Sequence, residues 1–396
     1  MAIDLDTAKE RVVAEVDRLA DVLVDASHQI HAHPELCFEE RFAHDLLTGI
    51  LEGEGLPVTR HARDLDTAFE ARAGSDGPLI AVMCEYDALP GIGHACGHNI
   101  IASAGLGAGL ASAAIADTVG GRVLILGTPA EEGGGGKVFL AERGALEGVD
   151  AALMVHPAGV DLTAMSAIAI QRLTVTYEGE SAHAAAFPHR GRNALDAMVL
   201  GYVNIAALRQ HIRPTERVHG IFLEAGDKAN IVPARAKAEW YVRSPTARTL
   251  EPLCERVAAC LEAGAAAAGC TVEFEWLGPR YLDMVDNGPM VERYRENAAR
   301  LGRDVADPRS GGAKVVGSTD MGNVSHLVPS IHPMIQVSPA SVSIHSPEFA
   351  RYAASEDGDK AVLDGAKALA MTMVDLWAQP DVLAAAKDEF QAAATD

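Results

Sequence analysis

Residues 79–99 read LIAVMCEYDALPGIGHACGHN. The opening LIAVM is a short apolar run of strand length, closed by glycines and a proline. Two cysteines, two histidines, a Glu and an Asp follow it within residues 84–99. If LIAVM is a strand of an open α/β sheet, these groups sit just beyond its carboxyl end, where functional groups gather. Two questions follow: whether the neighbouring segments build such a sheet, and what chemistry needs a thiol and an imidazole two residues apart.

The neighbours fit. AFEARA (68–73), RVLILGT (122–128) and ALMVH (152–156) read as further short strands, and IIASAGLGAGLASAAIA (100–116) suits a buried helix. Upstream, Val13, Val16, Leu19, Leu23 and Ile30 fall near helical spacing and predict one long amphipathic helix over 8–30. A second helix is expected over EERFAHDLLTGILEGEG (39–55). Strands alternating with helices predict a largely parallel α/β sheet.

From residue 172 the rhythm changes. RLTVTYEG reads as a strand, NALDAMVLGYVNIAALRQHI as a helix, VHGIFLEA and RAKAEWYVR as strands, LEPLCERVAACLEAGAAAAG as a helix and TVEFEWL as a strand. That order is β-α-β-β-α-β, the ferredoxin-like pattern. We therefore place an inserted α+β domain at 170–280, with 1–169 and 281–396 forming one α/β domain that ends in helix AVLDGAKALAMTMVDLWAQ (361–379).

Composition agrees. A chain of 396 residues exceeds what one compact core usually holds, so two domains are expected. The net charge of −22 argues against nucleic acid as a partner, because phosphate binding needs a basic face. No run approaches a membrane span, and MAIDLDTAKERVVAEV lacks a charged-then-apolar leader, so a cytoplasmic protein is expected. Six scattered cysteines, at 37, 84, 96, 254, 260 and 270, do not suggest a disulfide framework.

The pair Cys96-x-His98 alone permits a nucleophile with its base, a redox thiol, a metal site or plain core packing. Other segments narrow it. GTPAEEGGGGK (127–137) sets Glu131 and Glu132 directly after strand RVLILGT; ALMVHP sets His156 directly after another strand; SVSIHSPEF (341–349) carries His345. Thiolate, imidazole and carboxylate together suit zinc or a similar first-row metal. Five such groups and a spare carboxylate suggest two metals about 3.5–4 Å apart sharing a ligand, which a thiolate can be. A cysteine protease would leave Glu131, Glu132 and His345 idle, and nothing in the sequence marks a helix start that would activate Cys96. Two other classes stand beside a catalytic metal site: a non-catalytic metal-binding subunit and a cysteine or redox enzyme using Cys96. The GGGGK run fails as a phosphate loop, since Glu131 and Val138 occupy positions that need Gly and Ser or Thr.

EYDALPGIGHACGHN, GTPAEEGGGGK, VHP, SAHAAAFPHRGRNALDA and STDMGNVSH together resemble the metal-dependent aminoacylase and carboxypeptidase family. Within it they are most similar to the amidohydrolase branch that includes auxin-conjugate hydrolases and aminobenzoyl-glutamate hydrolase. The resemblance implies a catalytic domain with two zinc or manganese ions and a ferredoxin-like lid through which the chain forms a homodimer. It implies that Cys96 bridges the metals, that Glu132 and His345 hold one, and that His98 and His156 hold the other. Glu131 would be general base and then acid, Asp87 would orient a ligand imidazole, and His183 would stabilise the oxyanion, in the partner's site. Asn230 and Arg243 would contact substrate or its carboxylate from the lid; His189, in FPHRG, is read from the sequence as a further lid contact. The implied reaction is hydrolysis of the amide bond of an N-acyl amino acid, an aminobenzoyl-glutamate-like conjugate or a dipeptide by metal-activated water. Two departures are visible: Glu85-Tyr86-Asp87 stands where many members have His-x-Asp, and Asn99 stands where the branch often has Asp. His28, His31, His33 and His44 read as surface or packing residues, and the cysteines other than Cys96 as core.

Overall fold

The computed structural model describes residues 3–308 and 316–395. Contacts divide the chain into two compact units, one spanning Ala167–Asp283 and the other built from the chain on either side of it.

The flanking unit opens with helices α1 (Leu5–Arg18), α2 (Ala20–Ala32) and α3 (Arg41–Gly53). Strands β1 (Val58–Arg60), β2 (Phe69–Ala73) and β3 (Leu79–Glu85) follow. Next come α4 (His98–Ala113), α5 (Ala116–Val119), β4 (Arg122–Thr128), α6 (Gly136–Glu142), β5 (Ala151–Leu153) and β6 (His156–Ala158). The boundary strand β7 is Ser166–Ala167. The inserted unit holds β8 (Ala169–Glu178), α7 (Ala194–Leu208), β9 (Arg217–Glu224), β10 (Arg235–Ser244), α8 (Ala247–Ala268) and β11 (Thr271–Tyr281). The chain then adds α9 (Gly288–Arg300), β12 (Val316–Gly317), α10 (Met321–Ser325), β13 (Ser330–Ile331) and β14 (Met334–Gln336). It closes with α11 (Pro347–Tyr352), α12 (Glu356–Ala378) and α13 (Pro380–Thr395).

The larger sheet has the order β1-β2-β4-β3-β5-β13. β3 pairs parallel with β4 and β5, and β13 pairs parallel with β5, while β2 pairs antiparallel with β4 and β1 with β2. Every residue of β3 is buried. Ile80, Val82 and Cys84 join one core, with Val12, Leu23, Ile100 and Leu369. Leu79, Ala81 and Met83 join another, with Leu124, Leu126, Leu140 and Val324. Burial on both faces is why the strand reads as a continuous apolar run. Helix α4 lies directly on it: a Cβ at Gly105 would stand 2.3 Å from the Met83 carbonyl oxygen.

The inserted unit has the order β11-β8-β10-β9, all antiparallel. Its core gathers Leu173, Val175, Tyr177, Trp240, Val242, Met198 and Leu261. Strand β10 buries Ala236, Ala238, Trp240 and Val242 and leaves the residues between them more exposed, as one covered face requires. The fold is α/β with an inserted ferredoxin-like α+β unit, as the sequence predicts.

Four local expectations are corrected. The helix expected over 8–30 is two helices with a break at Leu19. The apolar stripe Val12, Val16, Leu19, Leu23 stays buried across the break, so periodicity alone joins the two. ALMVH is not one strand: β5 stops at Leu153 and His156 begins β6, rather than following a strand end. The chain does not end in the helix at 361–379; Pro380 starts α13, a position where its missing N–H costs nothing. A helix start does exist next to Cys96, because α4 begins at His98 behind Gly97. No helix among the described residues is long and apolar enough to cross a membrane.

Candidate metal centre

The turn from β3 to α4 carries Asp87, Cys96 and His98. Gly97 between the last two has φ 77°, and a Cβ there would stand 2.5 Å from Pro157 Cγ. Glycine is therefore needed to present thiol and imidazole side by side over β6. Glu131 and Glu132 lie in the glycine turn after β4, His156 opens β6, and His345 is fixed by its N–H donating to the Ala95 carbonyl at 2.8 Å.

These side chains form two groups that share one member. Ligand atoms of Cys96, His98 and His156 lie within 4.8 Å of one another, and so do those of Cys96, Glu132 and His345. Cys96 Sγ is 3.5 Å from His156 Nε2 and 3.3 Å from His345 Nε2, which is 3.3 Å from Glu132 Oε1. The first group is buried; the second reaches solvent through His345, whose side chain is 49% exposed. A third group, Glu85, His98 and Glu131, lies behind them.

The donor atoms fit cations. His98 Nε2 and Glu85 Oε1 are buried, close no hydrogen bond and face each other at 3.1 Å, and buried Glu132 Oε1 has His345 Nε2 3.3 Å away. Buried polar atoms are rarely left so unless an ion or water completes them. Two of the three imidazoles are set for ligation through Nε2: His98 Nδ1 meets Asp87 Oδ1 at 3.1 Å, and His156 Nδ1 donates to the Pro157 carbonyl at 2.8 Å. Burial, then the neighbouring His98, draws His156 down to about 4 and keeps it neutral, the form that binds metal. Burial pushes the Cys96 thiol up despite the helix start beside it, so a thiolate there needs a nearby cation.

Asp87 is the hub behind the ligands. Burial alone would raise it, but His98 and the backbone N–H groups of the glutamate turn bring it down to about 2. Its Oδ2 accepts the Glu132 N–H at 2.9 Å and lies 3.5 Å from Cys37 Sγ. Glu40 pins the same loops: it accepts from the Phe38 N–H and the Ala130 N–H, both at 2.9 Å, and from the Thr67 hydroxyl at 2.8 Å. Phe38 (φ 63°), Ala130 (φ 62°) and His345 (φ 61°) all hold left-handed backbone, a strain the surrounding bonds sustain.

Glu131 is 8% exposed, and burial, then Glu85 and Glu132, push its carboxyl well above the usual range. Next to it Lys137 reaches Glu85 Oε2, and it meets Asp320 Oδ1 at 2.8 Å. His332 is buried 5.5 Å from the His156 ring with neither ring nitrogen bonded, and His94 is likewise buried and unbonded.

The remaining candidates lie in the inserted unit. His183 is exposed and its residue bridges Ile231, with the Ala184 N–H donating to the Asn230 carbonyl at 3.0 Å. The Ala185 and Ala186 N–H groups point at His183 Nδ1, at 3.3 and 3.2 Å, which leaves the ring hydrogen on Nε2. Arg243 is half-buried on β10 with its guanidinium 5.9 Å from the Tyr241 ring centre, and His189 lies exposed in the short turn 188–190.

Sequence reasoning does not assign Glu40, Cys37, Lys137, Asp320 or His332 to this site. Lys137 carries one usable signal, a lysine directly after a glycine turn that bears two glutamates. Cys37 reads as core from the sequence; it is half-buried and stands against Asp87 and the Glu132 carbonyl.

The family model described as Peptidase family M20/M25/M40 matches residues 78–374. The chain is 38% identical to a mouse Xaa-Arg dipeptidase, across 98% of this chain and 94% of that protein. It is 36% identical to a p-aminobenzoyl-glutamate hydrolase subunit from Escherichia coli, across 63% of this chain and 56% of that protein. A solved structure from Bacillus subtilis, described as a dinuclear metal-binding peptidase of the M20 family, superimposes with a TM-score of 0.71 at 23% identity, covering 92% of this chain and 99% of that one.

Proposed function

The chain belongs to peptidase family M20/M25/M40, a hydrolase family, and on that premise we propose that it is a dinuclear metallo-dipeptidase that cleaves a dipeptide with a basic C-terminal residue. The observation that carries the reading is Cys96, shared by two ligand groups with Glu131 beside them. The basic residue is favoured by the 38% identity to an Xaa-Arg dipeptidase over nearly the whole chain, and by a net charge of −22, which draws cationic substrates.

In this reading Cys96 would be the ligand shared by two cations, Glu132 and His345 would hold one, and His98 and His156 would hold the other. Two divalent cations, zinc or manganese, would supply a water acidified toward about 7 and a polarised amide carbonyl. Glu131 would take a proton from the attacking water on its carboxylate and return it to the leaving amine. Asp87 keeps His98 Nε2 turned toward the site. His183, with its hydrogen on Nε2, donates to the oxyanion, and Asn230, Arg243 and His189 meet the substrate.

Residues 170–280 act as a lid and as the dimer interface, with His183 serving the partner's site, and 1–169 with 281–396 form the catalytic domain. The dimer is supported by apolar residues left exposed on edge strand β9, Ile221, Phe222 and Leu223, and on α7, Val199 and Val203. We place the protein in the cytoplasm.

The paired variants Glu131→Gln and Glu132→Gln test the reading by metal content and kcat across a zinc titration. Glu131→Gln is expected to keep both metals and lose kcat by about 10²–10⁴-fold, the range of a lost acid–base group. Glu132→Gln is expected to lose metal first and recover part of its activity at high zinc. If excess zinc rescues Glu131→Gln and not Glu132→Gln, the two roles are exchanged. A fully active Glu131→Gln ends the mechanism.

A further inference from the structure

Lys137 is a buried ammonium that the scheme above leaves without a task. The residue is 1% exposed; its Nζ reaches Glu85 Oε2 and, at 2.8 Å, Asp320 Oδ1. Its backbone N–H donates to the other Asp320 oxygen at 2.9 Å. One side chain thus ties the end of β3, the first turn of α6 and the residue before α10. Buried ion pairs often add no net stability over an apolar replacement, so stability alone does not explain it.

What Lys137 holds is the position of Glu85. One Glu85 oxygen faces the ammonium. The other is buried without a hydrogen-bond partner, 3.1 Å from His98 Nε2. Ligand atoms of Glu85, His98 and Glu131 all lie within 4.8 Å of one another. A carboxylate at that distance is able to fall onto a cation held by His98. Tethered to Lys137, it attracts the cation from outside and leaves the open position a catalytic metal keeps for water and substrate.

We propose that Lys137 is a positioning residue that keeps the Glu85 carboxylate off the cation held by His98, so that the site stays open for turnover. The proposal rests on the dinuclear reading of the site. It predicts effects of opposite sign. Without the ammonium, the nearest positive charge to Glu85 is the cation itself; Glu85 joins it, metal binds more tightly, and turnover slows. Without the Glu85 charge, metal binds more weakly.

Cobalt(II) titrations followed by visible absorption, with kcat and KM on alanyl-arginine, separate these effects in the parent protein, Lys137→Met, Glu85→Gln and the double variant. Lys137→Met is expected to bind cobalt more tightly, to change its absorption spectrum, and to lose kcat by about 10²-fold, the scale of a misplaced site, with KM little altered. Glu85→Gln is expected to bind cobalt more weakly. The double variant is expected to regain about tenfold or more of the lost kcat, since two contacting residues are not additive. Lys137→Arg, which keeps the charge, is expected to retain the parent spectrum. Weaker cobalt binding by Lys137→Met, or a double variant no better than it, reduces Lys137 to a structural peg and overturns the proposal. If Lys137→Met does not fold, Glu85→Gln decides: weaker binding supports the proposal and unchanged binding overturns it. A parent protein that takes up no cobalt fails the dinuclear reading itself, a result distinct from a failure confined to the variants.

Discussion

The two sheets of this chain bury their strands differently, and the ionisable groups follow the difference. β3 is covered on both faces, and buried at or beyond the strand ends of its unit stand Glu85, Asp87, His98, Glu131 and Asp320. β10 is covered on one face, and its buried side chains include Ala236, Ala238, Trp240 and Val242. Among the described residues the inserted unit buries one acidic side chain, Glu216, which accepts the Arg213 N–H at 2.8 Å in its own turn. Parallel strands end on one edge of a sheet, so their turns converge on one spot. Antiparallel strands end on alternate edges, so their turns diverge. One unit is shaped to concentrate charge, the other to bury apolar surface.

Metal removal is the largest expected way to separate the two. An ion at a free concentration about 10³ times its Kd contributes about 4 kcal/mol, and chelation takes that away for each ion bound. Hydrogen exchange is expected to show lost protection in β3 and β4 and unchanged protection in β8 and β10. Equal losses in both sheets would mean that the units do not differ in this way.

The converse change is Trp240→Ala. Trp240 is 1% exposed in the core of the inserted unit, and such a truncation costs about 3–5 kcal/mol. Denaturant unfolding is expected to register that loss while elemental analysis finds the metal content of the parent. Metal lost from this variant would erase the distinction.

Gly264→Ala sharpens it on a finer scale. A Cβ there would stand 2.4 Å from the Ala197 carbonyl oxygen and 2.6 Å from the Gly201 nitrogen, where α7 crosses α8. Overpacking of this kind costs about 1–3 kcal/mol, and the midpoint of chemical denaturation is expected to fall accordingly. The smallest effect belongs to the surface. Arg300 pairs with Asp6 at 3.0 Å with both side chains half exposed or more, so Arg300→Ala is expected to cost under about 1 kcal/mol in the same assay.

Much of this was legible because the signals are local. LIAVM and RVLILGT are apolar runs that both become wholly or almost wholly buried strands. The glycines around Cys96 and after Glu132 mark turns whose backbone takes positive φ at Gly97, Gly133 and Gly135. Motif residues after β3 and β4 meet because those parallel strands end at one side of one sheet, whereas His156 opens β6 of a separate two-stranded sheet and His345 is tied in by its own N–H bond to Ala95. Less legible was the break at Leu19, since the apolar stripe runs through it. The division of ALMVH after Leu153 escaped for the same reason: composition does not change where the strand does.

By itself the sequence determined the α/β class, the ferredoxin-like insertion and which segments carry ligand-type side chains, because periodicity, strand length and turn residues act over a few positions; its motifs carried the resemblance to the family. Only the tertiary structure decided which charges oppose one another. Lys137 meets Glu85 and Asp320 from 52 and 183 positions away, and Glu40 pins Ala130 from 90 positions away. Such contacts leave no periodic trace along the chain. They arise when packed elements bring buried polar groups within reach, and each group must then find a partner or bear the cost of desolvation.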